Sequence, residues 1–233
     1  MALLPGAEQE RLAMHLYEEG LFGIKENPDE FITLKSGRKS PHYFDIRQGL
    51  SCPDTRELVA EAMVALALHR TGAADVYDLA DHYEHFVGSP EAMTSYAASI
   101  ADTAGMSLLQ PRVNLSKVTG NKSPILGKYR EGDRIAAFDD VITDGATKVE
   151  TMGALGCNGL VVADYYVVLD RQEGGRAELQ EAARLDVTPA LGLATTVRIL
   201  RANSALSQTQ FDNVREYMER HGDPDAVTEL LAA

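Results

Sequence analysis

Two adjacent carboxylates, Asp139 and Asp140, stand at the end of the apolar run Arg134–Phe138. A turn with Thr143, Gly145 and Thr147 follows them, and then a helical pattern begins. In open α/β sheets, ligands sit beyond the carboxyl ends of strands. A loop of small and hydroxylated residues leading into a helix offers backbone N–H groups to a phosphate. The acids have a separate task beside it. They can take the hydroxyls of a ribose, or a divalent cation directly or through water. A competing role is local, since acids near a helix start stabilise that helix's own dipole. Cationic residues occur where an anionic partner would need them: Lys35 and Arg38 near the N-terminus, Arg112 and Lys117 in the middle, and Arg171 after the longest β-rich run.

The segment 134–150 resembles the signature by which type I phosphoribosyltransferases bind phosphoribosyl pyrophosphate (PRPP). In that family two acids follow a strand, and a Thr/Gly-rich loop cradles the ribose 5-phosphate. The resemblance gives Asp139 and Asp140 the ribose hydroxyls and indirect contact to Mg²⁺ through PRPP or water. It gives the phosphate to Thr143, Asp144, Gly145, Ala146 and Thr147. Asp144 departs from the pattern, because the family has a small or hydroxylated residue there. An acid in a phosphate loop must point outward or pair with a base such as Lys148.

A second motif narrows the family. Residues 31–47, FITLKSGRKSPHYFDIR, resemble the N-terminal signature of orotate phosphoribosyltransferases, with Lys35, Ser36, Gly37, Arg38, Ser40, Pro41, Tyr43 and Phe44 in place. By this resemblance Lys35 meets the orotate carboxylate or the pyrophosphate, and the Tyr43–Phe44 backbone frames the base. An anionic pyrimidine needs such a cation and a flat apolar wall. His42 lies inside the motif and near the place of the base. Residues 168–175 look like the family's Asp-Arg-x-x-Gly-Gly stretch, which gives Arg171 the orotate carboxylate as a bidentate fork. Val87–Ala92 resembles the segment that contacts pyrophosphate, with Ala92 where the family has a later glycine.

The family's mobile catalytic loop, Arg-Lys-x-x-Lys-x-His-Gly, is only partly present. Arg112, Lys117 and Gly120 match, while Val113 and Thr119 replace a second base and a histidine. Arg112 and Lys117 then stabilise the departing pyrophosphate with less positive charge than usual. Together these matches cover about residues 30–200. They imply an enzyme, a pentosyl transferase. It would move phosphoribosyl from PRPP to orotate, giving orotidine 5'-monophosphate and pyrophosphate in de novo pyrimidine synthesis. Mg²⁺ is the implied cofactor and a homodimer the implied assembly. The altered loop keeps two alternatives open: another base, or a regulator that binds PRPP or a nucleotide without turnover.

The elements that must position these residues are legible in outline. Residues 8–22 read as a helix, 54–71 as a long one ended by Gly72, and 31–46 as a two-stranded turn region. Strand patterns follow at 75–79, 85–88, 106–112, 134–138, 159–169 and 187–193. Helical patterns occupy 91–104, 146–156 (closed by Gly156), 175–184, 195–202 and 207–221, and a Gly/Ser/Lys/Pro loop spans 113–132. Such alternation predicts an α/β fold, a mainly parallel central sheet flanked by helices. With the resemblance this is the type I phosphoribosyltransferase fold. One domain spans 1–233, with a small N-terminal hood at 1–50, a core at 51–205 and C-terminal helices at 206–233.

The chain's 233 residues suffice for one such core. A net charge of −13 repels phosphate backbones, so nucleic acid is disfavoured as a partner. It also repels a polyanionic metabolite, whose site must therefore carry its own bases, backbone donors or cation. No apolar stretch approaches the ~18 residues of a membrane span, and the start lacks a positive signal-peptide region. Two distant cysteines, Cys52 and Cys157, read as free thiols in a reducing cytoplasm. The cluster Asp81, His82, Glu84, His85 reads as a partly exposed polar segment rather than a metal site.

Overall fold

A computed structural model describes residues 4–34, 36–112, 124–143 and 146–232. In chain order the hood holds α1 (Gly6–Glu18), β1 (Phe22–Ile24), β2 (Ile32–Thr33), β3 (Lys39–Ser40) and β4 (His42–Phe44). The core follows with α2 (Pro53–Thr71), β5 (His85–Gly88), α3 (Thr94–Ala104), β6 (Leu108–Pro111), β7 (Ile125–Leu126), β8 (Arg134–Ile142), α4 (Ala146–Cys157), β9 (Val161–Asp170), α5 (Gly175–Ala183), β10 (Val187–Gly192) and α6 (Leu193–Ala202). Helices α7 (Gln208–His221) and α8 (Pro224–Leu231) close the chain.

Six strands form the central sheet in the order β10-β9-β8-β5-β6-β7. Neighbours are parallel except at the edge, where β7 runs antiparallel to β6. The expected mainly parallel sheet flanked by helices is thus observed. Alternate residues of each strand face opposite sides, and both sides are apolar. Ala136 and Phe138 of β8 join Phe86, Tyr166 and Val168 in the larger core under α1, α2, α3 and α6. Ile135 and Ala137 join Tyr165, Val167 and Leu179 in the smaller core on the opposite side. This two-sided burial is why the strands read as continuous apolar runs.

Several expectations change. The strand pattern at 75–79 is a 3₁₀ helix, Val76–Asp81, opened by the Asp75 side chain accepting from the Tyr77 and Asp78 N–H groups. That cap satisfies locally what a strand would satisfy across a sheet. The turn region forms two hairpin pieces rather than one: β2 pairs with β3, whereas β4 pairs with β1. Within 113–132, read as loop throughout, Ile125–Leu126 is an edge strand. Helix α4 passes through Gly156 to Cys157, and the turn comes at Gly159 with φ +83°. Helix α1, grouped with the hood, buries Leu12, Ala13 and Leu16 in the main core.

The close of β5 depends on a glycine. A Cβ on Gly88 would stand 2.5 Å from the Met93 carbonyl oxygen and 2.6 Å from the Ala97 Cβ. Gly88→Ala must push the start of α3 off the strand end, and such overpacking costs about 1–3 kcal/mol. Chemical denaturation should therefore show a lower midpoint with an unchanged slope; a midpoint equal to wild type would mean that α3 yields freely.

Candidate active site

The carboxyl ends of the parallel strands lie along one edge of the sheet, and the chemistry-bearing residues gather there. Asp139 and Asp140 come from β8, Thr143 directly follows it, Arg171 directly follows β9, and Arg112 directly follows β6. Strand β8 runs four residues past the predicted end, to Ile142, because Asp139 and Val141 pair in register with Val167 and Leu169. The two acids therefore sit on the strand and not after it. Neighbouring strand residues turn to opposite faces, so the acids differ.

Asp139 is buried, 2% exposed. Its Oδ2 accepts the Tyr165 hydroxyl at 2.5 Å and contacts Lys148 Nζ, and its Oδ1 accepts the Asp140 N–H at 2.8 Å. Burial alone would raise its pKa. The charge and hydrogen bond of Lys148, then the Tyr165 hydroxyl, outweigh that and hold it below the usual carboxylate value. Asp140 is half-buried, and its Oδ1 accepts the Val141 N–H at 2.7 Å and lies 3.8 Å from Lys148 Nζ. Burial and the charge of Asp139 push its carboxyl up to about 6, against the pull of Lys148. Asp139 is an ionised anchor inside the protein, while Asp140 is the more accessible acid of the two and titrates at about 6. Lys148 contacts both acids of this pair; Asp144, for which it was weighed as a partner, lies outside the described residues. From the hood, Arg47 is held above its usual range by Asp45, its ion-pair partner at 2.6 Å, with weaker contributions from Asp140 and Glu91.

One strand over, the second cluster centres on Arg171, 7% exposed. Its backbone N–H donates to the Ile142 carbonyl at 3.1 Å, which fixes the end of β9 against the end of β8. Gly175 makes this approach possible, since a Cβ there would collide with the Thr143 carbonyl oxygen. Arg171 Nη2 reaches Glu173 Oε1 at 2.8 Å, the Tyr217 hydroxyl at 3.2 Å and Ser40 Oγ at 3.3 Å. Glu173 Oε2 takes Arg38 Nη2 at 2.7 Å. His42 is buried against the cluster, its ring edge-on to Tyr217 at 5.2 Å. Burial, then the charge of Arg171, holds its imidazole well below the usual value, so it is neutral.

Of the predicted site residues, Asp139, Asp140, Thr143, Arg171 and Arg112 share one edge. Ala146 and Thr147 open α4, the helix that follows β8. Arg112 donates its backbone N–H to the Pro124 carbonyl at 2.9 Å, and its Nε is buried without a partner. Lys35, Lys117, Asp144 and Gly145 lie outside the described residues. The rings of Tyr43 and Phe44 turn elsewhere. Tyr43 covers Gly23 and sends its hydroxyl to the Gly20 carbonyl at 3.4 Å, and Phe44 packs on the main core. Any part they play with a base falls to their backbone, which pairs with β1.

Sequence reasoning gave no role to Tyr217 or Glu173. A signal for the first exists: Phe211, Val214, Tyr217 and Met218 form the buried stripe of α7, and a buried tyrosine hydroxyl demands a polar partner. At the other end of the sheet, His85 contacts Ser107 and bonds Asp133 at 3.0 Å. Among the described residues no group of three or more His, Cys, Asp or Glu is placed to hold a metal ion.

No family model matches the chain. An orotate phosphoribosyltransferase of Methanocaldococcus jannaschii is 30% identical over 152 residues, covering 65% of this chain and 78% of that protein. A uridine 5'-monophosphate synthase of Caenorhabditis elegans is 28% identical over 212 residues, 90% of this chain but only 39% of its own length. The solved structure of Leishmania donovani UMP synthase superposes with a TM-score of 0.73 at 27% identity, over 91% of this chain and 42% of that one. The chain thus spans well under half of these longer relatives, and the part it spans carries the type I phosphoribosyltransferase fold. With the acid pair on β8, the arginine after β9 and a relative this similar over most of its length, the chain belongs to the orotate phosphoribosyltransferase family.

Proposed function

We propose that this protein transfers phosphoribosyl from PRPP to orotate, giving orotidine 5'-monophosphate and pyrophosphate. One observation carries the reading: the end of β8, where Asp140 is half-buried, lies hydrogen-bonded against the end of β9, where Arg171 anchors a second polar cluster. A sugar held by the first and a carboxylate-bearing base held by the second would meet across one strand spacing of about 4.8 Å.

The bond from the anomeric carbon to pyrophosphate breaks with its electron pair leaving on pyrophosphate. The ring nitrogen of the base, already deprotonated, supplies the pair for the new bond. Positive charge develops at the anomeric carbon and ring oxygen between those events. Asp140 offsets that charge and holds the ribose hydroxyls, and Asp139 fixes Asp140 through its backbone N–H. Arg112 serves the departing pyrophosphate. The protein contributes positioning and fixed charge, with no covalent step of its own.

Mg²⁺ belongs to the same proposal. One available carboxylate beside a substrate rich in phosphate oxygens fits an ion that arrives with PRPP and keeps several waters. When bound it would neutralise charge on the pyrophosphate. A homodimer and a cytoplasmic setting are also proposed, the latter supported by the free thiols Cys52 and Cys157. Activity is tested by following orotate absorbance with PRPP and Mg²⁺. Steady loss of orotate is expected; an inert protein at high concentration sinks the assignment.

One observation favours a second reading, binding of PRPP without turnover. Lys148 already compensates the acid pair, and Glu173 already compensates Arg171. Calorimetry with PRPP, run beside the turnover assay, separates the two.

A further inference from the structure

Helix α7 reaches the Arg171 cluster through Tyr217. Tyr217 is 5% exposed, and its hydroxyl sits 3.2 Å from Arg171 Nη2 and 3.2 Å from Glu173 Oε1. A phenol can accept from the guanidinium and donate to the carboxylate at once. Nη2 is thereby held by three groups, Ser40, Tyr217 and Glu173. Nε of the same guanidinium is buried and has no partner, and neither has Nε2 of His42. Both atoms lie in the same cluster, and an incoming group could complete them. A guanidinium gripped at one nitrogen and open at another is oriented, and its open donor is one prong of a fork that a carboxylate can take.

The grip does not come from the site strands alone. Gln210 and Asn213 of α7 donate to the carbonyls of Ile24, Lys25 and Glu26 at 2.8–3.0 Å, so the helix is fastened to the hood. The Tyr217 ring is set between His42 and His221, with ring centroids 5.2 and 4.9 Å away. The hood and its own helix thus help to fix its position, beside its bonds to Arg171 and Glu173.

We propose that Tyr217 is a positioning residue of the base site, which holds Arg171 so that its Nε is offered to an incoming carboxylate and an acidic base is preferred over a neutral one. The proposal rests on the reading of Arg171 as the base-binding residue. Its test uses the full chain and Tyr217→Phe, with orotate and PRPP varied separately in the presence of Mg²⁺. Orotate binding is followed by calorimetry and the thermal midpoint records folding. A hydrogen bond to a charged group contributes about 1.5 kcal/mol, so KM and Kd for orotate should rise about tenfold. KM for PRPP and kcat should stay within about twofold, and weak use of uracil, which has no carboxylate, should not change. Glu173→Gln, close in shape, should give the same split and replaces Tyr217→Phe if that variant unfolds. Equal rises in both KM values, or an unchanged orotate KM, overturn the proposal alone. Wild-type protein that gives no heat with orotate overturns the function reading, and this assignment with it.

Discussion

Asp140→Asn is expected to lower kcat/KM for PRPP by about two to three powers of ten, the usual cost of removing one charge-stabilising group from a transition state. The same variant should be at least as stable as wild type at pH 7. Folding lifts the Asp140 carboxyl from its ordinary 3.8 to about 6, through burial and the neighbouring Asp139. A carboxyl raised on folding costs stability while it is ionised, and that cost is relieved as pH falls through the folded value. Asparagine removes the cost and keeps an oxygen for the Val141 N–H. The pH profile follows from the same shift. The free enzyme needs Asp140 ionised, so kcat/KM should fall as pH drops below about 6. Lys148 pulls that value down, and Lys148→Met should move the acid limb to higher pH. An acid limb that stays in place in Lys148→Met would show that neither acid of the pair sets it, because Lys148 pulls both down, and a destabilised Asp140→Asn would show that the ionised Asp140 stabilises the fold.

How much of this was readable beforehand depends on whether the information is local. The parallel sheet was readable because burial on both faces writes itself into each strand as an uninterrupted apolar run, as in 159–169. The position of Asp139 and Asp140 was readable only to within their strand. Whether a strand ends at Phe138 or at Ile142 is decided by pairing with Val167 and Leu169, which no local pattern records. That difference of four residues separates two equivalent acids from one anchor and one ligand-facing group. The 3₁₀ turn at Val76–Asp81 shows the opposite failure, where an apolar alternation lost to one capping side chain, Asp75. Arg171 was found through its motif, but its environment was not. Ser40, Glu173 and Tyr217 lie 131, 2 and 46 residues from it and meet only when the hood and α7 close over β9.

Arg171→Ala should affect folding and base recognition together, and the two can be separated. In the native protein the Glu173 side chain, 2% exposed, is held by Arg171 at 2.8 Å and by Arg38 at 2.7 Å. Breaking a buried pair from one side costs about 3–5 kcal/mol, because the remaining charge stays buried. Arg38 still reaches Glu173 but is 38% exposed and screened by water, so the lower end, about 3 kcal/mol, is expected. In a domain of this size that is a drop of roughly 6–12 °C in midpoint. Removing both partners in Arg171→Ala/Glu173→Ala takes away the stranded charge, and much of the stability should return. Orotate use should not return, since the fork for its carboxylate is gone in both variants. Denaturant unfolding and orotate kinetics on the two proteins decide the matter. If the double variant recovers orotate turnover along with its stability, Arg171 is a structural ion-pair residue and the base is held elsewhere. If stability alone recovers, the buried pair and the base-binding arginine are two functions of one side chain, with Glu173 keeping it in place until substrate arrives.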